Sequence, residues 1–171
     1  MKIGVLSDTH DRLPMIDAAV GLFNAAGVEA VLHAGDLVSP IVAETFSHLS
    51  CPLVAVFGNN DGDRVFLMKR FTDLHIGQFF GEYHTLTLSD RRIVLMHQPR
   101  SIDELAASGQ FDLIVYGHTH RIDVRSASDD HSSHDTAILN PGEACGWLTG
   151  RATAALVDLA SLEIELLELH P

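Results

Sequence analysis

KIGVLSDTH, Lys2–His10, is an apolar segment that stops abruptly at a carboxylate and an imidazole. KIGVLS, Lys2 to Ser7, has the composition of a short strand. PMIDAAVGLFNAA, Pro14 to Ala26, then carries apolar residues at helical spacing with a proline at its start, so a helix follows the strand. The cycle recurs twice. AVLHAG, Ala30 to Gly35, leads into the helix PIVAETFSHL, Pro40 to Leu49, and PLVAVFG, Pro52 to Gly58, leads through a polar turn into a helix over Gly62 to Phe71. Strands alternating with helices imply right-handed βαβ units on a parallel sheet.

The second half changes character. YHTLTLSDRRIVLMH reads as two strands joined across Ser89 and Asp90, followed by a short helix near Ile102 to Ser108 and the strand DLIVYG, Asp112 to Gly117. IDVRSA, TAIL, TAALVDL and EIELLEL are further short segments of strand composition. SASDDHSSHD, Ser126 to Asp135, reads as a solvated hairpin loop despite His131 and His134. An α/β core followed by a β-rich half predicts two packed mixed sheets with helices outside. No repeat or linker divides the 171 residues, a length that suits one domain with a full core.

Composition excludes some partners. Eleven Lys and Arg against 23 Asp and Glu give a net charge of -12, which repels a long phosphate backbone, so no long nucleic acid is expected. A small anionic substrate remains compatible, because divalent cations bound among clustered carboxylates invert the local field. Cys51 and Cys145 form no C-x-x-C pair and read as reduced, buried thiols. The amino-terminal segment is too short in apolar residues before Asp8 for a secretory signal, and no apolar run approaches a membrane span. A cytoplasmic protein without a membrane partner is expected.

Each core strand ends in a polar residue that packing does not explain. Asp8 and His10 follow the first strand, Asp36 the second and Asn59 the third; His97 closes IVLMH, and His118 and His120 follow LIVYG. One at a time these are ordinary: D-x-H and G-D suit turns, G-N suits a left-handed turn, and a strand-end histidine is commonly a surface residue. H-x-H carries more, because residues i and i+2 of an extended segment point to one side. Their shared position matters most, since ligand sites of open α/β sheets gather beyond the carboxyl ends of the strands. Two Asp, one Asn and four His make an oxygen-and-nitrogen set suited to Mn, Fe, Zn, Ni or Co rather than to an all-oxygen Ca or Mg cage. Seven donors exceed one ion and suit two, roughly 3.5 to 4 Å apart, provided one carboxylate bridges them.

The ordered series D-x-H, G-D, G-N-x-D (Gly58 to Asp61), strand-end His97 and G-H-x-H (Gly117 to His120) resembles the calcineurin-like metallophosphoesterases along nearly the whole chain. NPGEACGWLTG, Asn140 to Gly150, further resembles a stretch of their small single-domain prokaryotic phosphodiesterases, especially an archaeal type that also carries GNND. The resemblance implies a four-layer α/β/β/α sandwich with a dimetal site at the sheet edge. It implies Asp8, His10 and His120 on one ion, Asn59, His97 and His118 on the other, and Asp36 bridging. Manganese is the leading expectation for both ions, with nickel, iron, zinc or cobalt as alternatives. The implied reaction is hydrolysis of a small phosphodiester by a hydroxide shared between the ions, with no protein nucleophile.

Two departures are informative. Many relatives that act on phosphomonoesters read G-N-H-[DE], with that histidine touching phosphate and aiding the leaving group. Here the position is Asn60, which donates a hydrogen bond but not a proton, so a preference for diesters with good leaving groups is expected, with Asn60 as the catalytic contact. The family often has glycine after its strand-end histidine, whereas this chain reads HQPR from His97. Arg12 and Arg100 flank ligand loops and read as surface residues; His33 reads as core, Asp11 and Asp61 as orienting or capping groups, and Asn140 as turn chemistry near the site. The alternatives are a phosphomonoesterase, a non-catalytic scaffold such as the family's retromer subunit, and, ranked last, a nuclease. Every ligand position is kept here, which favours an enzyme. Small members of the family are commonly dimeric, so a homodimer is a compatible partner state.

Overall fold

A computed structural model describes residues 1–126 and 136–171. The expected hairpin loop at Ser126 to Asp135 lies, Ser126 apart, outside the described residues. The first sheet is built from β1 (Lys2–Leu6), β2 (Ala30–His33), β3 (Leu53–Val56), β4 (Gly77–Phe80), β10 (Thr153–Asp158) and β11 (Glu163–Glu168), in the order β11-β10-β1-β2-β3-β4. β1 to β4 run parallel, β10 pairs antiparallel with β1, and β11 pairs antiparallel with β10. The second sheet has the order β5-β6-β7-β9-β8, from β5 (Tyr83–Leu88), β6 (Arg91–Met96), β7 (Leu113–Val115), β8 (Ile122–Arg125) and β9 (Ala137–Pro141). There β6, β7 and β9 are parallel while β5 and β8 pair antiparallel, so both sheets are mixed.

Side-chain alternation along the strands stacks these elements into four layers. Ile3 and Val5 of β1, with Leu32 and Val56, meet Ile93 and Leu95 of β6, Leu113, Val115 and Leu139 in a dry layer between the sheets. Leu6, Val31, Leu53 and Ala55 face the other way, onto Ile16 and Phe23 of α1 (Leu13–Ala26), Phe46 of α2 (Val42–Phe46) and Phe71 of α3 (Arg64–Asp73). Val94, Met96, Ile114 and Ile138 face outward from the second sheet onto Ile102, Leu105 and Ala106 of α4 (Ile102–Ala107). The expected α/β/β/α sandwich is the observed one, with a thin fourth layer.

Local signals mark most boundaries. Pro14 sits in the first turn of α1 and Gly27 closes it in the left-handed region. Ser89 and Asp90 both have positive φ, as a two-residue hairpin requires, and Leu88 pairs with Arg91 across them. Three differences stand out. The helix expected at Pro40 to Leu49 is only Val42–Phe46, closed by Ser47, whose hydroxyl donates to the Glu44 carbonyl at 2.6 Å. The helix expected at Gly62 to Phe71 starts at Arg64, because Asp63 accepts from the Phe66 amide at 3.0 Å and caps it. β4, GQFF, is an additional half-buried edge strand whose glycine and glutamine gave no strand signal.

Candidate metal centre

β1, β2, β3, β6 and β7 all end at one edge, and the loops beyond them carry every expected ligand. The pairing between β1 and β2 continues past the strands, with Asp8 N donating to Gly35 O at 3.0 Å and His10 N to Asp36 O at 3.1 Å. Gly117 N donates to His97 O at 3.0 Å, and Ala144 N and Cys145 N donate to Ser7 O and Asp8 O at 2.9 and 3.0 Å. Glycines permit this crowding. A Cβ on Gly58 would lie 2.1 Å from Asp36 Oδ1, and one on Gly117 would lie 1.9 Å from Ser7 Oγ. These are the glycines of G-N and G-H, so the motifs need them for close approach.

The backbone at the site is unusual. Asp8, His10, Asp36, His118 and His120 have φ of 54°, 41°, 59°, 67° and 59°, left-handed values that side chains with a Cβ seldom adopt. Such residues cost free energy and persist where surrounding structure fixes them, which is commonest at functional sites. His118 and His120 are therefore not an extended pair, and the expectation from strand geometry, that H-x-H aims both rings to one side, is corrected. Their rings part company: His118 Nδ1 lies 2.9 Å from Asn59 Oδ1, while His120 Nε2 lies 3.4 Å from Asp8 Oδ1.

Two groups of donors result. His10 Nε2 lies 3.8 Å from Asp8 Oδ1 and 3.5 Å from Asp36 Oδ2, and the His10 and His120 rings stack with centroids 5.3 Å apart. On the other side His97 Nε2 lies 2.9 Å from Asn59 Oδ1 and 3.5 Å from Asp36 Oδ2, and the His97 and His118 centroids are 5.1 Å apart. Asp36 Oδ2 is the atom common to both groups. Asp8, Asp36 and His97 are buried; His10 and His120 are partly exposed, and Asn59 and His118 are open to solvent.

The protonation pattern fits cations between these atoms. His97 Nδ1 sits 2.8 Å from the Ala34 carbonyl and His120 Nδ1 sits 2.7 Å from Glu143 Oε2. Both partners only accept, so both Nδ1 atoms carry a proton, and the Nε2 atoms are turned toward carboxylate oxygens. An Nε2 left unprotonated there is repelled by the carboxylate unless a positive charge lies between. Asp8 Oδ1 and His10 Nε2 are moreover buried without a hydrogen-bond partner among the described residues. Burial would raise the Asp8 carboxyl, but the His10 imidazole, the Ser7 hydroxyl and the His97 and His120 rings hold it below the ordinary carboxylate range. Asp8, Asp36 and His97 together have the compactness needed to hold a metal ion, as do His10, His120 and Cys145.

Residues 1–162 match the calcineurin-like phosphoesterase superfamily domain. The chain belongs to that superfamily. It is 37% identical over 165 residues to a phosphodiesterase of Methanocaldococcus jannaschii, covering 95% of this chain and 96% of that one. Phosphodiesterase YfcE of Escherichia coli is 26% identical over 134 residues, 70% of each chain. The solved structure of an archaeal phosphodiesterase superposes with a TM-score of 0.89 at 34% identity, covering 99% of this chain and all of that one. Vps29 of Entamoeba histolytica, at 18% identity and a TM-score of 0.67 over 99% of this chain and 100% of that one, shares the fold.

Around the ligand set, this phosphoesterase carries groups that sequence reasoning left out or placed elsewhere. Glu143, fully buried, accepts from His120 Nδ1 and also from Leu148 N at 2.9 Å, Thr149 N at 2.5 Å and Thr149 Oγ1 at 2.7 Å. Burial opposes its ionisation, yet these donors bring its carboxyl down to about 2. The G-E step in NPGEAC was its only sequence signal, and a lone glutamate after a turn has no distinguishing pattern. Cys145, given no metal role from sequence, is a buried thiol beside His10 and His120, its Sγ 3.2 Å from Glu143 Oε2. Burial pushes that thiol up to about 12.

Asp61 neither caps α3 nor touches the Asn60 side chain. It accepts from Asp36 N at 3.2 Å, Val38 N at 2.7 Å and Gly58 N at 2.7 Å, bracing two ligand loops. Asn60 itself clips the common carboxylate, its backbone N 2.8 Å from Asp36 Oδ1 and its Nδ2 2.7 Å from Asp36 Oδ2. His33 is core: its Nε2 lies 3.1 Å from Thr9 Oγ1, its Nδ1 accepts from Gly35 N at 3.1 Å, and burial lowers its pKa to about 3. Asp11 accepts from Ser39 N at 3.0 Å, and Asn140 Nδ2 bonds Gly117 O and Thr119 Oγ1, both at 3.0 Å, which fixes the turn under the G-H-x-H loop. Arg12 donates to the Cys145 carbonyl and covers the Trp147 ring, and Arg100 pairs with Glu82 at 3.7 Å.

Proposed function

We propose that the protein is a metal-dependent phosphodiesterase that hydrolyses a small diester at two divalent ions, manganese being the leading choice. One observation carries the reading: Asp36 Oδ2 lies 3.5 Å from both His10 Nε2 and His97 Nε2, so one carboxylate oxygen serves two separate donor groups. Asp8, His10 and His120 would hold the first ion, Asn59, His97 and His118 the second, and Asp36 both. When bound, the pair supplies an acidified shared water near neutral pH and positive charge for the phosphoryl oxygens.

The chain's own residues do the rest. Glu143 holds His120 Nδ1 and the Ala34 carbonyl holds His97 Nδ1, so Nε2 is the nitrogen that each ring would offer to an ion. Asp61 holds the Asp36 and Gly58 loops rigid, which keeps the donors in place without reorganisation. Asn60 lies beside the common carboxylate, where its amide would donate to a phosphoryl oxygen. An amide cannot protonate a departing alkoxide, which supports diesters with good leaving groups over monoesters. The relatives named phosphodiesterases support the same class.

The test is metal analysis of the purified protein, followed by hydrolysis of bis(4-nitrophenyl) phosphate and 4-nitrophenyl phosphate with each ion restored to chelated protein. Two ions per chain and faster diester cleavage are expected. Full turnover after exhaustive chelation would overturn the reading.

A further inference from the structure

A cleft of about 180 Å³ opens beside the second donor group, and Asn59 and His97 form part of its wall. The same two side chains point Oδ1 and Nε2 at each other across 2.9 Å. Asn59 and His97 are thus shared by the donor group and the cleft, so a phosphate held at that group has this opening beside it. Cleft and site are also tied through the backbone, since His97 N donates to Glu82 O at 3.2 Å.

The lining defines what fits. Tyr83, 47% exposed, with the buried Met96 paired to it across β5 and β6, gives the cleft an aromatic side chain suited to an aromatic face. The volume is that of one ring, since an apolar cavity of about 150 Å³ takes a single benzene. At the rim Glu82 pairs with Arg100 of the lining at 3.7 Å and with Arg64 beyond it at 3.2 Å, so its charge is compensated where an anionic ester would enter. Gln98, bonded to Arg100 Nη2 at 3.3 Å, adds an amide at the same rim.

We propose that this cleft is the subsite for one organic substituent of the diester and that the group it takes is a single planar ring borne on the ester oxygen. The proposal rests on the phosphodiesterase reading above. The experiment titrates manganese-loaded protein calorimetrically with phenyl, cyclohexyl and methyl phosphate, for the natural chain and for Tyr83→Ala and Tyr83→Phe. Phenyl phosphate should bind about tenfold tighter than methyl phosphate, and cyclohexyl phosphate, equal in size but not flat, should fall between. Tyr83→Ala should bring phenyl and methyl within about twofold while leaving methyl phosphate affinity and metal content unchanged, and Tyr83→Phe should keep the preference. Equal binding of phenyl and methyl phosphate, cyclohexyl matching phenyl, or a preference that survives Tyr83→Ala would overturn the ring subsite and leave the phosphodiesterase reading intact. Loaded protein that binds none of the three would overturn the ring subsite, and loaded protein that fails to cleave bis(4-nitrophenyl) phosphate would overturn the phosphodiesterase reading.

Discussion

Replacing Glu143 by glutamine probes how the chain prepares His120. The natural carboxylate has two accepting oxygens, one shared by His120 Nδ1 and Cys145 Sγ and the other by the Leu148 and Thr149 donors. Glutamine accepts through one oxygen only. If that oxygen serves the 148–149 segment, its amine faces His120 Nδ1, the ring proton moves to Nε2, and the lone pair aimed at the Asp8 side is lost. If the oxygen serves His120, buried amides of the segment lose partners at about 1 kcal/mol or more each. The first arrangement should weaken one ion about 10- to 100-fold, or roughly 1.4 to 2.8 kcal/mol, with little effect on the other. The second should lower the stability of chelated protein by about 1–3 kcal/mol. Calorimetric manganese titration against a competing chelator reads the first, and thermal melting of chelated protein reads the second. Glu143→Gln protein that binds both ions with unaltered affinity and melts at the natural temperature would refute the positioning role.

Three further outcomes are expected. Glu143 has its carboxyl lowered from 4.5 to about 2, so the stability it contributes is complete above pH 4.5 and is lost as pH falls toward 2; urea melts of chelated protein should show the gap between the natural chain and Glu143→Gln shrinking by about 3 kcal/mol across that window. His97→Ala should lower bound metal from two ions to about one per chain with the circular dichroism of the fold retained, and undiminished stoichiometry by elemental analysis would remove His97 from the ligand set. Asn60→His places an imidazole beside the common carboxylate and should raise the monoester-to-diester rate ratio about tenfold, with a new dependence on pH near neutrality; an unchanged ratio would show that this position does not face the leaving group.

Much of this was written in local chemistry. The strand ends and the clustering of the polar residues beyond them were legible because apolar runs stopping at Asp, Asn or His recur along the chain, and the topology that brings such ends together follows from the βαβ pattern. What escaped detection depends on residues that meet only in space. Glu143 is one glutamate among many until the turn after β9 carries it beneath His120, and Cys145 lies 25 residues from that histidine in the chain. H-x-H was misjudged geometrically because nothing in Gly-His-Thr-His announces left-handed backbone at both histidines. β4 was hidden by a glycine and a glutamine of low strand propensity, the glycine being needed because a Cβ there would lie 1.8 Å from Leu53 O of β3.

The two sheets share no strand, yet each donor group draws on both: Asp36 and Asn59 come from loops of the first, His97 and His118 from loops of the second, and Asp8 and His10 face His120 in the same way. A cation seated in either group is thus a rivet through the seam of the sandwich. Occupancy then resists any sliding of one sheet over the other, and stripping the ions should loosen the whole join, so that proteases and denaturants find the emptied molecule an easier target far from the rivets themselves.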